Sequence, residues 1–190
     1  MEKEHFDLLD FIPEKVRSGK KSNSYNLIIS PKNSYIKLEY FTNIRDNLGE
    51  RKYSLIIPRK ISKNTETYEV LGLLQAEMSK TYSGCVTFAN SEFRLINKVI
   101  NWFDNEIEIN PYDWRWYIKV NIQEPTDEKY KKEIEEKVIK HWLKKTKISL
   151  KSAYPKKVSY IKDTKNTQLK NCDYGCLVIE NKSNLFSQII

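Results

Sequence analysis

The chain has 190 residues, of which 31% are charged and 39% belong to the apolar AVILMFWYC set. This length suits one domain with one core, and no stretch reaches the ~20 consecutive apolar residues of a membrane-spanning helix. Three cysteines, an odd number, argue against a disulfide framework, and two histidines exclude a histidine-rich metal site. The acidic amino-terminal segment lacks the apolar run of a secretion signal. We therefore expect a cytoplasmic protein without a membrane partner.

The positive charge is concentrated in one part of the chain. The formal net charge is +8, and residues 127–170 account for all of it with 14 lysines and 6 acidic residues. Within that segment, residues 138–170 hold ten lysines and a single acid, Asp163. A lysine-rich solvated face and a surface that binds a polyanion explain this pattern about equally well.

The amino-terminal part of the chain predicts a short helix followed by a small sheet. Residues 5–16 are predicted to be helical, with Phe6, Leu9 and Ile12 on one face and a break near Pro13. Three apolar or alternating segments bounded by turn residues then predict strands, at 25–30, 35–41 and 52–57.

From Asn64 onward the pattern changes to helices interspersed with strands. Helices are predicted at 67–79, 93–103, 127–145 and 184–190, and strands at 85–89, 114–122 and 174–180. Asn90 and Ser91 are predicted to form the N-cap of the second of these helices. The predicted fold class is α+β with mixed element order, as distinct from a doubly wound sheet.

Common enzyme motifs are missing from the sequence. It contains no glycine-rich phosphate loop, no GxSxG and no HExxH. Cys172 and Cys176 have the wrong spacing for a zinc pair and are predicted to be packing residues. His5 and His141 have no catalytic companion in the sequence.

The segment Val70–Met78 (VLGLLQAEM) has a pattern that suits a pair of helices. Gly72 and Ala76 are four residues apart and share a helical face, which lets two helix backbones approach closely. Glu77 would then meet its counterpart on a partner helix, and a divalent cation would neutralise the two carboxylates. The alternative is a buried amphipathic helix that ends in a solvated glutamate.

This nonapeptide resembles the LAGLIDADG motif of homing endonucleases. Further segments follow the order of the single-motif branch of that family: Ile57–Ile61, Val86–Ser91, a helix ending at Trp142, Thr146–Ile148, Tyr154–Lys157 and Tyr174–Cys176. The resemblance covers about residues 55–190. We therefore predict an extension at 1–55, made of a helix and a small β-rich part, and a single LAGLIDADG-type domain at 56–190.

The resemblance implies a fold, an activity and a set of partners. Family members have αββαββα-type halves whose β-strands form a saddle in the DNA major groove. An acidic residue at the eighth motif position, here Glu77, binds catalytic Mg²⁺ (or Mn²⁺) at the dimer axis. With one motif, the implied active form is a homodimer, with Gly72, Leu73 and Ala76 at its interface. The implied function is sequence-specific hydrolysis of double-stranded DNA, with no small-molecule substrate.

Basic residues complete the implied site. Lys80, Arg115 and Lys119 are candidates for the basic group near the scissile phosphate. Arg115, Tyr117 and Lys119 alternate along one predicted strand and would enter a DNA groove. Lys156 and Lys157 would grip phosphates.

Two motif positions depart from the family pattern. Gln75 stands where aspartate is common, and Met78 replaces the final glycine, beside the implied metal ligand. A bulky residue there could displace the carboxylate. The alternative function is therefore a catalytically inactive DNA-binding protein, a transcription regulator or maturase, on the same scaffold.

Overall fold

A computed structural model describes residues 4–11, 27–43, 50–80, 86–110, 114–161 and 173–181. The elements in these ranges, in chain order, are β1 (His5–Asp7), a 3₁₀ turn (Leu8–Phe11), β2 (Leu27–Pro31), β3 (Tyr35–Asn43), β4 (Glu50–Pro58), β5 (Lys60–Ser62), α1 (Thr65–Glu77), β6 (Met78–Lys80), β7 (Val86–Asn90), α2 (Phe93–Glu106), β8 (Trp114–Val120), α3 (Glu128–Lys145), a 3₁₀ turn (Leu150–Ser152), β9 (Ala153–Tyr160) and β10 (Cys176–Asn181). The predicted α+β class is confirmed.

The three strands predicted in the amino-terminal part are confirmed, and they form an antiparallel sheet in the order β2-β3-β4. Leu38 of β3 lies opposite Ile29 of β2 and Leu55 of β4. Ile29 and Leu38 are buried, as are Ile36 and Ile57, which anchors one face of this sheet in the core. The predicted boundary between residues 55 and 56 falls within β4, and the division into two parts stays a prediction.

The helix predicted at residues 5–16 is wrong at His5–Asp7, and of its described part only Leu8–Phe11 is helical, as a 3₁₀ turn. His5–Asp7 is a strand that pairs antiparallel with β5, with Phe6 opposite Ile61. The Asp7 carboxylate accepts a hydrogen bond from the Leu9 backbone N–H at 3.0 Å and one from Arg59 Nε at 2.8 Å. The long-range partners, β5 and Arg59, outweigh a weak local helical pattern. Ile12 and the rest of the predicted helix lie outside the described residues.

A five-stranded sheet in the order β6-β7-β10-β8-β9 organises the remainder of the described chain. Its pairs are antiparallel except β8–β9, which is parallel. Trp114, Trp116 and Ile118 of β8 are fully buried on one face. The Phe103 ring of α2 lies 5.0 Å from that of Trp114, which shows that α2 packs on this face.

The carboxyl end of α3 is joined to the start of β10. The Trp142 indole N–H donates to the Tyr174 carbonyl at 2.9 Å, and the His141 ring stacks on the Tyr174 ring at 3.7 Å. Gly175 has φ +71°, and a Cβ there would lie 2.5 Å from the Lys119 carbonyl oxygen, so glycine is required. Cys176 is buried, as predicted, and Cys172 lies outside the described residues.

The helices follow the predictions with shifted ends. α1 begins two residues early because the Asn64 side chain caps it, and it ends at Glu77, where Met78 enters β6. The N-cap of α2 is Glu92, one residue after the predicted pair, while the Asn90 side chain accepts a hydrogen bond from the Glu92 N–H. The helix predicted at 184–190 lies outside the described residues. None of the helices in the described ranges is long and apolar enough to cross a membrane.

Candidate nucleic-acid interface

Helix α1 is held to the core along one side. Its buried residues are Thr67, Val70 and Leu74. They are three and then four residues apart, so they lie on one face of the helix. The buried Thr67 hydroxyl oxygen accepts a hydrogen bond from the Trp102 indole N–H of α2 at 3.0 Å. Lys98 of α2 forms an ion pair with Glu69. These contacts fix the direction in which the rest of the helix faces.

The other side of α1 is exposed and carries small residues. Gly72 and Ala76 are both exposed, and a Cβ added at Gly72 would meet nothing within 4 Å. Tyr68, one turn earlier, is 57% exposed. Leu73, the third predicted interface residue, packs partly against the core. The helix therefore leaves the Gly72–Ala76 surface open in a single chain.

Glu77, the implied metal ligand, is the exposed last residue of α1. The last turn of the helix contains no basic residue, so the carboxylate adds to the negative end of the helix dipole and favours a cation there. Met78 packs against the core in an extended conformation with φ −79°, which any residue adopts. Its side chain therefore does not displace Glu77 from the exposed surface. Lys80 lies in β6.

One chain supplies too few ligands for a closed metal site. No group of three or more His, Cys, Asp or Glu residues able to hold a metal occurs within the described ranges. Mg²⁺, however, keeps several waters and is commonly bound by one or two carboxylates together with substrate phosphates. The exposed Glu77 can supply one carboxylate of such a donor set.

The predicted DNA-facing strand has the expected alternation. In β8, Trp114, Trp116, Ile118 and Val120 are buried, whereas Arg115 is exposed and Tyr117 and Lys119 are half-buried. Neighbouring β10 places Glu180 opposite Arg115 and Val178 opposite Tyr117. The three predicted residues thus share the face of the sheet opposite the tryptophans.

Tyr154 of β9, which the sequence did not single out for DNA contact, connects these side chains. Its ring lies 5.7 Å from that of Tyr117, edge to face, and 5.4 Å from the Arg115 guanidinium. Its hydroxyl donates a 2.6 Å hydrogen bond to Glu180 Oε1. Burial, and then the hydrogen bond to this carboxylate, raise the pKa of Tyr154 to about 12. Lys119 Nζ lies 5.8 Å from the Tyr117 ring.

An open cavity of about 400 Å³ borders this group, which we call the tyrosine cavity. It is lined by Tyr117, Tyr154, Pro155, Lys156 and Ser159. Lys156 is exposed and Lys157 is half-buried. The sequence could have pointed to Tyr154, because it directly precedes the Pro-Lys-Lys run in one strand. Glu180 and Ser159 gave no sequence signal, since their role depends on strand register.

Lysines dominate the surface from the middle of α3 to β9. Residues 137–157 contain eight lysines and no acidic residue. None of these lysines has a carboxylate of another described residue within 4.0 Å. In the amino-terminal half of α3, by contrast, Lys131 pairs with Glu124 at 2.7 Å and Lys132 with Glu136 at 4.0 Å. This run of lysines without a carboxylate partner therefore begins at residue 137, directly after the last acidic residue of α3, Glu136.

Comparison with known proteins found no matching family model, no matching curated protein and no matching solved structure. The resemblance to the LAGLIDADG family therefore rests on the motif and on the order of the segments around it.

Proposed function

We propose that this chain is a sequence-specific double-stranded DNA endonuclease of the LAGLIDADG type, dependent on a divalent metal and active as a homodimer. The observation that carries the proposal is the exposed Gly72–Ala76 surface beside an exposed Glu77. Glycine inside a helix costs about 1 kcal/mol relative to alanine. Because nothing in the described chain lies near its missing Cβ, close approach of a second helix is the role that fits Gly72.

The element order supports the same class of protein. From α1 the chain runs helix, two strands, helix and strand, which follows the first five elements of an αββαββα half. It then departs, because α3 and β9 precede β10. The added strand β9 extends the sheet at the edge that carries Tyr154 and Lys156.

Paired copies of Glu77 would hold Mg²⁺ or Mn²⁺ at the dimer axis, where the cation would activate water and stabilise the leaving oxygen. The chain's own contribution is to fix these carboxylates. Thr67–Trp102 and Glu69–Lys98 hold α1 against α2, so the end of α1 has a defined position. Lys80, Arg115 and Lys119 stay the candidates for the basic group near the scissile phosphate.

Two surfaces would hold the DNA. Arg115, which is exposed, and Tyr117 and Lys119, which are half-buried, share the face of β8 opposite the tryptophans and are suited to contact with base edges in a groove. The lysines of residues 137–157, including Lys156 and Lys157, lack carboxylate partners within the described chain and are suited to phosphates.

The decisive experiment is cleavage of a randomised duplex library with Mg²⁺ or Mn²⁺ by the wild type and by Glu77→Gln. Loss of an outer-shell partner of a metal typically costs ~10–100-fold in activity, and loss of a direct ligand should cost more. Duplex binding should persist, because the substitution removes a negative charge. Glu66→Gln, an exposed glutamate at the opposite end of α1, is the matched control and should cleave normally.

Two outcomes would contradict the endonuclease proposal. Equal cleavage by the wild type and Glu77→Gln would remove Glu77 from the site. Selective duplex binding without cleavage by the wild type would favour the second candidate, a catalytically inactive DNA-binding protein.

A further inference from the structure

The tyrosine cavity has the composition of a stacking site. Two aromatic rings and the Pro155 ring line it, and the polar groups are Lys156 and Ser159. Its volume of about 400 Å³ lies in the range of pockets that hold small ligands, ~300–1,000 Å³. It is therefore large enough for a flat heterocycle and carries polar groups beside its apolar walls.

The walls of the cavity are fixed before any ligand arrives. Tyr154 is held by its hydroxyl bond to Glu180, and its ring meets the Tyr117 ring edge to face at an angle of 84°. This arrangement is favourable for aromatic pairs, and it restricts both side chains. Because these side chains are already ordered, a ligand that stacks here loses little binding free energy to ordering the site.

The cavity is open to solvent, which bears on the class of ligand. Pockets for free small molecules usually enclose 70–90% of the ligand surface. An open site instead suits a flat group that stays attached to a polymer. Exposed Lys156 supplies a cation for an adjoining phosphate, and the Ser159 hydroxyl can donate to or accept from a base edge.

We propose that the tyrosine cavity binds an unpaired base of a single DNA strand, with the adjoining phosphate held by Lys156. The inference rests on the proposed function in taking DNA as the ligand, and it adds that the protein holds an unpaired strand beside the duplex. Base stacking on aromatic side chains provides the affinity and tolerates different bases.

The test compares a short oligothymidine strand with an abasic strand of the same length and charge, at one salt concentration. The wild type should bind the thymidine strand about tenfold more tightly, since only that strand can stack. Tyr117→Phe, which keeps the ring, should retain the preference, and Tyr117→Ala should lose it. A second measurement needs no variant: a fluorescent purine analogue in the strand should be quenched on binding to the wild type.

Equal affinity for the two strands, or an analogue that is not quenched, would overturn the proposal. Tighter binding of a uridine strand would assign the cavity to RNA and overturn it as well. Duplex cleavage is scored separately in the same preparation. A chain that prefers the thymidine strand but never cuts duplex DNA supports the cavity proposal and contradicts the endonuclease proposal. A chain that cuts duplex DNA but binds both strands equally supports the endonuclease proposal and contradicts the cavity proposal.

Discussion

The two edges of the five-stranded sheet differ in what surrounds them. At the β6 edge, the exposed surface of α1 carries Gly72 and Ala76 and ends at the carboxylate of Glu77, and a Cβ at Gly72 would meet nothing within 4 Å. At the β9 edge, Tyr117, Tyr154, Arg115 and Glu180 contact one another through ring packing and a 2.6 Å hydrogen bond. The exposed α1 surface at the β6 edge thus has no contact near Gly72, whereas the side chains at the β9 edge already contact one another.

This difference separates the proposed cleavage, which needs two copies of the chain, from the proposed strand binding, which needs one. Within the described residues no group of three potential metal ligands occurs, and the proposed site takes only Glu77 from each chain, so the proposed chemistry requires two copies. The β9 edge has its side chains in place without a second copy. Cleavage should therefore depend on dimer formation, whereas binding of a strand at the β9 edge should not.

The largest expected effect comes from filling the open surface of α1 with Gly72→Leu. Gly72 is exposed and a Cβ there would meet nothing within 4 Å, and leucine favours the helix by up to ~1 kcal/mol over glycine, so the melting midpoint of the monomer should hold or rise. Overpacking costs about 1–3 kcal/mol at each of two copies. The dimer dissociation constant, measured by analytical ultracentrifugation, should rise by about a hundredfold, and cleavage should be lost.

Glu66→Leu is the matched control, because it adds a leucine to an exposed position of α1 away from the Gly72–Ala76 surface. It should leave the dimer intact. A Gly72→Leu chain that dimerises as the wild type does would break the comparison between the two edges, because α1 would then not be the contact surface.

A smaller effect is expected from Lys156→Ala combined with Lys157→Ala. Each phosphate contact contributes about 1 to the slope of log affinity against log salt, so the slope should fall by about 2 while all duplexes weaken alike. Binding isotherms at several salt concentrations measure it. Lys129→Ala with Lys132→Ala removes the same charge from the half of α3 that carries carboxylates, and should change the slope less. Equal changes would assign the effect to net charge alone.

Sequence periodicity predicted the elements whose patterns are strong and local. The alternation in β8 placed its tryptophans in the core, and the Ile96, Val99 and Phe103 spacing gave α2. It failed at His5–Asp7, where the structure is decided by pairing with β5 and by Arg59, more than fifty residues away. A local pattern carries no information about such a partner.

The candidate sites show the same limit. Gly72 and Ala76 are four residues apart, so their spacing predicted a shared helical face with Glu77 at the end of the helix, and all three residues are exposed. The cluster around Tyr154 joins β8, β9 and β10, and it depends on a parallel pair with a register shift between Trp116 and Ile118. Arg115, Tyr117 and Lys156 were predicted, but Ser159 comes into place only through that register, and Glu180 only through the antiparallel register of β8 and β10.

The smallest effect tests how firmly the β9 edge is held. A phenol whose pKa is raised on folding stabilises the folded state. This stabilisation is complete below the ordinary phenol pKa of 10.0 and is lost as the pH rises to about 12, the pKa of Tyr154 in the folded chain. Removing the Tyr154 hydroxyl with Tyr154→Phe should therefore lower the melting midpoint by a few degrees near pH 8 and by less near pH 12. The absorbance difference between wild type and variant should report a single phenol that titrates near pH 12.

Tyr160→Phe is the control, because burial also raises the pKa of Tyr160 to about 12, away from the tyrosine cavity. A Tyr154 that titrates near pH 10 while Tyr160 does not would mean that the hydrogen bond to Glu180 is not held in solution, and the two edges would then differ less than their contacts indicate.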